Sequence, residues 1–130
     1  MPKLYGAKRH FVSESITKGK RIWLDLGFKE MSGAKTQTSF WNFDALFIPQ
    51  DHPAREMQDT FYLKNMYAGK VATPTQISKV SVSHKKGWKY NWKLEEAKRL
   101  VLRTHTTCVT IRHLADMNPD EARIFSVGRV

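Results

Sequence analysis

The amino-acid sequence predicts an α+β domain, and three observations carry that prediction. Apolar residues recur at helical spacing in two well-separated stretches, Ile16 to Leu26 and Thr107 to Met117. Short stretches between and after them fit strands, with Phe61 and Leu63 alternating in one of them. The alternation of antiparallel-type strands with helices argues α+β. A chain of 130 residues is about one domain and buries roughly two thirds of its unfolded surface.

The elements follow in order. Residues 1–15 are polar and mixed, and are expected to form an N-terminal extension. From residue 16 onward the chain is expected to form the domain proper. Ile16, Gly19, Ile22, Trp23 and Leu26 share one helical face, with Ser15 as cap and Gly27 as stop. Gly19 inside that helix costs about 1 kcal/mol relative to Ala unless another backbone packs against it. Phe28 to Met31 reads as a short strand. Ser39 to Phe47 is aromatic, and Phe40, Phe43 and Phe47 fit one face of a short core helix. Gln50 to Arg55 is a loop punctuated by Pro49 and Pro53, and Thr60 to Leu63 a strand.

Residues 64–87 lack periodicity and carry Gly69, Pro74 and the pair Lys85-Lys86. They are expected to be a mobile insertion with a short helix or strand at 75–82. Leu94 to Lys98 is predicted helical and Arg99 to Thr104 extended. The helix from Thr107 carries Val109, Ile111, Leu114 and Ala115 and is broken by Pro119. Ile124 to Val130 is predicted to begin another strand.

Composition excludes several classes. Lys and Arg total 22 against 12 Asp and Glu, a formal +10, which favours attraction to polyanions. The single cysteine, Cys108, rules out an internal disulfide and suits a reducing compartment. No apolar run approaches the roughly 20 residues a bilayer crossing needs, and Met1 to Tyr5 lacks a secretory pattern. A cytoplasmic location without membrane contact is expected. The five histidines show no metal-ligand spacing. No Gly-x-Ser-x-Gly elbow or phosphate-cradling Gly-rich loop occurs, so neither a metal ligand set nor a catalytic nucleophile is predicted.

The run Leu102-Arg103-Thr104-His105-Thr106-Thr107 concentrates a cation, an imidazole and three hydroxyls where a strand hands over to a helix. Thr107 and Thr110 stand at i and i+3 on one helical face. A neutral imidazole and two hydroxyls can each accept a hydrogen bond from an ammonium group. If the strand persists, Arg103 and His105 share a face of it. Arg55, Glu56, Gln58 and Asp59 form a second polar cluster.

Four long strings accompany that turn. They are Ser39-Phe40-Trp41-Asn42-Phe43-Asp44-Ala45-Leu46-Phe47, Pro49 through Phe61, Gly87-Trp88-Lys89-Tyr90-Asn91-Trp92-Lys93-Leu94, and Phe125-Ser126-Val127-Gly128-Arg129-Val130. In this order the sequence resembles the catalytic core of the phenylalanyl-tRNA synthetase alpha subunits of archaeal and eukaryotic type, from about Ile16 onward. The resemblance implies a class II synthetase sheet flanked by helices, truncated here. It implies ATP-dependent activation of phenylalanine with Mg²⁺ and transfer to tRNA.

It also implies that His105, Thr107 and Thr110 border the amino-acid pocket and that Gln58 lines the cleft, with Arg103 and Arg129 as nucleotide-binding or cleft-lining residues. The first helix is implied to pack against a beta subunit. Gly33-Ala34 stands where the family has Gly-Pro. The family's α-phosphate arginine would follow the Gly128-Arg129-Val130 string, so the 130 residues alone are expected to be inactive. Two other readings fit the local motifs. One is a short non-catalytic paralogue that binds RNA or a partner subunit. The other is a sister ligase for another amino acid, such as O-phosphoserine.

Overall fold

The computed structural model describes residues 6–56 and 60–130. Helix α1 (Phe11–Asp25) leads to β1 (Lys29–Glu30), β2 (Thr36–Thr38) and the one-turn helix α2 (Ser39–Asn42). After two 3₁₀ turns, Asp44–Leu46 and Pro53–Arg55, come β3 (Tyr62–Tyr67), α3 (Pro74–Trp88) and α4 (Leu94–Lys98). Strand β4 (Arg99–Leu102), helix α5 (Thr107–Met117) and β5 (Ile124–Phe125) complete the order. Strand β4 is the centre of an antiparallel β2-β4-β3 sheet, with Thr36 opposite Leu102 and Tyr62 opposite Val101. Strands β1 and β5 form a separate parallel pair, Lys29 opposite Ile124. Among the described residues no helix is long and apolar enough to cross a membrane.

Two small cores hold these layers together. Phe40 and Trp41 meet edge to face, centroids 5.0 Å apart, and pack with Val71 and Ala97. The Trp41 indole N–H donates to the Val71 carbonyl at 2.8 Å, so the buried ring has its polar atom satisfied. Met31, Cys108 and Val109 form the second core, against Ile124.

Several boundaries differ from the sequence expectation. Helix α1 starts at Phe11, not Ile16, because the His10 ring nitrogen accepts from the Val12 N–H and caps it. Ser15 is therefore inside the helix, where its hydroxyl donates back to the Phe11 carbonyl at 3.0 Å. Gly27 is the stop, at φ +81°, a conformation that glycine adopts without steric cost. A Cβ at Gly19 would meet nothing within 4 Å outside its own helix, so among the described residues no packed backbone offsets its helical cost.

Residues 64–87, expected as a mobile insertion, continue β3 to Tyr67 and supply most of α3. That helix opens on a reciprocal capping box between Thr73 and Gln76 and buries His84 completely. Phe47 does not continue the core face of Phe40 and Phe43. It takes a left-handed φ of 65° after the first 3₁₀ turn and is 44% exposed. Strand β4 ends at Leu102, and the expected Ile124 to Val130 strand closes after Phe125.

Candidate functional site

The turn after β4 is built by a buried asparagine. Asn42, on α2, is fully buried. Its side-chain amide donates to the Thr104 hydroxyl at 3.0 Å, and its carbonyl oxygen accepts the Thr104 N–H at 3.3 Å. Its main-chain carbonyl lies 3.0 Å from His105 Nε2. His105 Nδ1 accepts the N–H of Cys108 at 3.3 Å. An imidazole that accepts at Nδ1 and faces a carbonyl at Nε2 carries its proton on Nε2. The ring thus bridges α2 to the first turn of α5, and both nitrogens are spent inside the protein. This differs from the expectation of a histidine free to accept from a substrate ammonium.

Arg103 is likewise engaged. It is 7% exposed, and its Nε donates to the Arg129 carbonyl at 2.9 Å and its Nη1 to the Gly33 carbonyl at 3.2 Å. A side chain at Gly128 would collide with the same guanidinium, so glycine there lets the chain pass over Arg103. Because β4 ends at Leu102, strand alternation does not relate Arg103 to His105. Arg103 instead ties the turn before β2 to the Ser126–Val130 segment.

Thr104, His105 and Thr106 form one wall of a cleft of about 360 Å³, and Ser126, Val127, Gly128 and Val130 form the other. Thr107 is exposed and Thr110 half-buried on α5, and Arg129 is exposed beside the cleft wall. Gln58 lies outside the described residues. The Cys108 thiol is raised above its ordinary pKa, chiefly by burial, with Arg103 opposing. It donates to the His105 carbonyl at 3.1 Å.

A second cleft, of about 400 Å³, opens among Ser39, Arg55, Tyr62, Tyr90 and Arg99. The Arg99 guanidinium lies 4.0 Å over the Tyr62 ring. Behind this cleft sits a polar hub. Arg55 Nη2 bonds Asp44 Oδ1 at 2.8 Å, with both side chains buried, and also donates to the Ile48 carbonyl. His84 Nε2 donates to the Asp44 carbonyl at 2.8 Å, and its Nδ1 meets the Tyr90 hydroxyl at 2.8 Å. That hydroxyl in turn accepts the Gln50 N–H at 3.2 Å.

The Asp44 carboxyl is pushed above the usual carboxylate range because burial outweighs the pull of Arg55. Among the described residues, Asp44 Oδ2, Arg55 Nε and Trp92 Nε1 are buried without a hydrogen-bond partner.

Asn42, Asp44 and His84 were not singled out from the sequence. Asn42 and Asp44 carried a signal, as polar residues inside an aromatic string. His84 carried none, since serines and lysines surround it.

Residues 1–130 match the family described as tRNA synthetases class II core domain (F). The chain belongs to this family. Within it, the chain is similar to phenylalanine–tRNA ligase alpha subunits. It is 45% identical to that of Methanopyrus kandleri over 97% of this chain and 25% of the relative. For Methanocaldococcus jannaschii the figures are 45%, 98% and 27%. For Methanoculleus marisnigri they are 46%, 100% and 28%. The chain thus spans about a quarter of the length of the curated relatives it matches. The β2-β4-β3 sheet, with the turn at the end of its central strand, is the class II core as this chain builds it.

Proposed function

We propose that this chain forms part of the catalytic core of a cytoplasmic phenylalanine–tRNA ligase alpha subunit. The observation that carries the proposal is the 45–46% identity to such subunits over nearly the whole chain, joined to the cleft at the end of β4. In this reading the amino acid enters between the 104–106 wall and the 126–130 wall. Thr107 and Thr110 supply hydroxyl acceptors for its ammonium group. His105 is a positioning residue, because its ring holds α2 and α5 together. Arg103 positions the opposite wall, and Arg129 faces the nucleotide.

The partners in this reading are phenylalanine, ATP, tRNA and a beta subunit against α1. Activation needs the amino-acid carboxylate brought in line with the ATP α-phosphate, which is work of orientation and charge stabilisation. Among the described residues no three His, Cys, Asp or Glu side chains converge to hold a metal.

A chimera tests the proposal. This chain replaces the matching quarter of the Methanocaldococcus jannaschii subunit, and phenylalanine-dependent ATP–pyrophosphate exchange is measured. Exchange is expected, and Thr107→Val should lower it about 10- to 150-fold, the loss of one hydrogen bond to a charged group. A folded chimera that activates O-phosphoserine and not phenylalanine would overturn the assignment.

A further inference from the structure

The positive charge of this chain is concentrated in one place. Between Thr60 and Leu94 stand seven lysines and no Asp, Glu or Arg. The remainder of the chain is nearly balanced by comparison with the total of +10. All seven lysines are exposed, and among the described residues none of them forms an ion pair. Four of the seven, Lys79, Lys85, Lys86 and Lys89, lie on or just beyond α3. Helical spacing sets Lys79, Val82 and Lys86 in one stripe, with Lys85 beside it. His84 faces the opposite way, into the protein.

Lys85 and Lys86 complement the helix dipole in the last turn of α3. That accounts for two of the lysines and leaves the rest of the surplus without an ion-pair partner among the described residues.

An aromatic ring stands at the same end of the helix. Trp88 is 48% exposed. Its indole N–H donates to the Phe47 carbonyl at 2.9 Å, and its ring leans on Phe47 with centroids 5.5 Å apart. The ring is thereby held in place with much of its surface in solvent. A fixed aromatic surface flanked by unpaired lysines matches what single-stranded nucleic acid requires. The lysines track phosphates, and a base stacks on the ring.

We propose that the solvent face of α3, with Lys79, Lys85, Lys86, Lys89 and Trp88, binds a single-stranded segment of RNA. This face is distinct from the cleft at the 103–107 turn, whose walls include no residue of α3. The proposal does not depend on which amino acid that cleft takes.

The test uses the 130-residue chain and a fluorescein-labelled oligouridine, with binding read by anisotropy from 50 to 300 mM KCl. Lys79→Gln, Lys85→Gln, Lys86→Gln and Lys89→Gln are combined in one variant. A control variant combines Lys8→Gln, Arg9→Gln, Lys18→Gln and Arg21→Gln, which removes the same charge from the N-terminal segment and α1. The α3 variant should bind about tenfold or more weakly. Its plot of log K against log salt should flatten by about three, near 0.7 for each lost phosphate contact on a single strand.

The control should change affinity much less. Trp88→Ala should weaken binding about fivefold or more and leave the salt slope unchanged, while Trp88→Phe should restore most of it. Circular dichroism melting of each variant separates loss of contact from loss of fold. Equal losses in the two lysine variants would overturn the proposal, since net charge alone would then explain binding. Polyglutamate binding as tight as oligouridine, with no effect of Trp88→Ala when melting is native, would overturn it in favour of an acidic protein partner. No oligouridine binding at 50 mM KCl would also overturn it.

Discussion

Helices α1 and α3 are both 15 residues long, yet the protein treats them in opposite ways. Helix α1 buries no residue and exposes Phe11, Ile16, Ile22 and Leu24. It is held by a Lys20–Glu30 pair and by Trp23, whose ring lies 4.9 Å from Phe28 and 6.3 Å from Phe125. Helix α3 sets Ile77 and Val80 against the Phe40–Trp41 core. It is also fastened by polar groups, the Thr73–Gln76 box at its start and His84 on the Asp44 carbonyl. The comparison teaches that a narrow apolar face, Ile77 and Val80, seats a helix when satisfied polar groups fix it as well. Apolar spacing does not anchor a helix whose partner surface is small.

The largest test of that contrast removes the polar hub. Asp44→Ala leaves Arg55 buried beside an empty site, and loss of one partner of a buried pair costs about 3–5 kcal/mol. Urea unfolding should show this as a lower midpoint, and a loss below about 1 kcal/mol would show that the hub does not hold α3.

The hub also has a pH signature. Burial raises the Asp44 carboxyl in the folded state, so the folded protein binds that proton more tightly than the unfolded chain. The stability from this group is present below the ordinary carboxylate value and is lost as pH rises through the folded value. The melting temperature of the native protein relative to Asp44→Asn should therefore fall across that interval.

A smaller effect is expected at the cap of α3. Thr73→Ala removes the side-chain acceptor for the Gln76 N–H and should cost about 1 kcal/mol, measured by the same urea titration. The smallest effect belongs to α1. Ile22 is 61% exposed, so Ile22→Ser should change stability by no more than about 0.5 kcal/mol. A cost several times larger in the isolated chain would mean that α1 is covered there, by a second copy or by a segment of the same chain.

Much of the fold was legible in the sequence. Helices at Leu94 to Lys98 and Thr107 to Met117, the strand after Arg99 and the stop at Gly27 follow from spacing, glycine and proline, because those signals are local. The start of α1 was displaced because the histidine at position 10 is an uncommon cap, whereas Ser15 is a common one. Within 64–87 the expected short helix at 75–82 is part of the longer α3, whose full extent rests on a capping pair and one buried histidine that carry little signal along the chain. The parallel pairing of β1 with β5 was also invisible, since two-residue strands carry no pattern of their own.

The site divides in the same way. Sequence by itself determined that a cation, an imidazole and hydroxyls gather at the end of β4, and that the strings around them match one family. Tertiary structure alone decided what those groups are free to do. Asn42, 63 positions before His105, takes one side of the imidazole, and Cys108 takes the other. Gly33 and Arg129 take Arg103. The physical reason is that a hydrogen-bonding group has few places to bond. Whether a buried neighbour already occupies them depends on distances across the fold, which no spacing along the chain encodes.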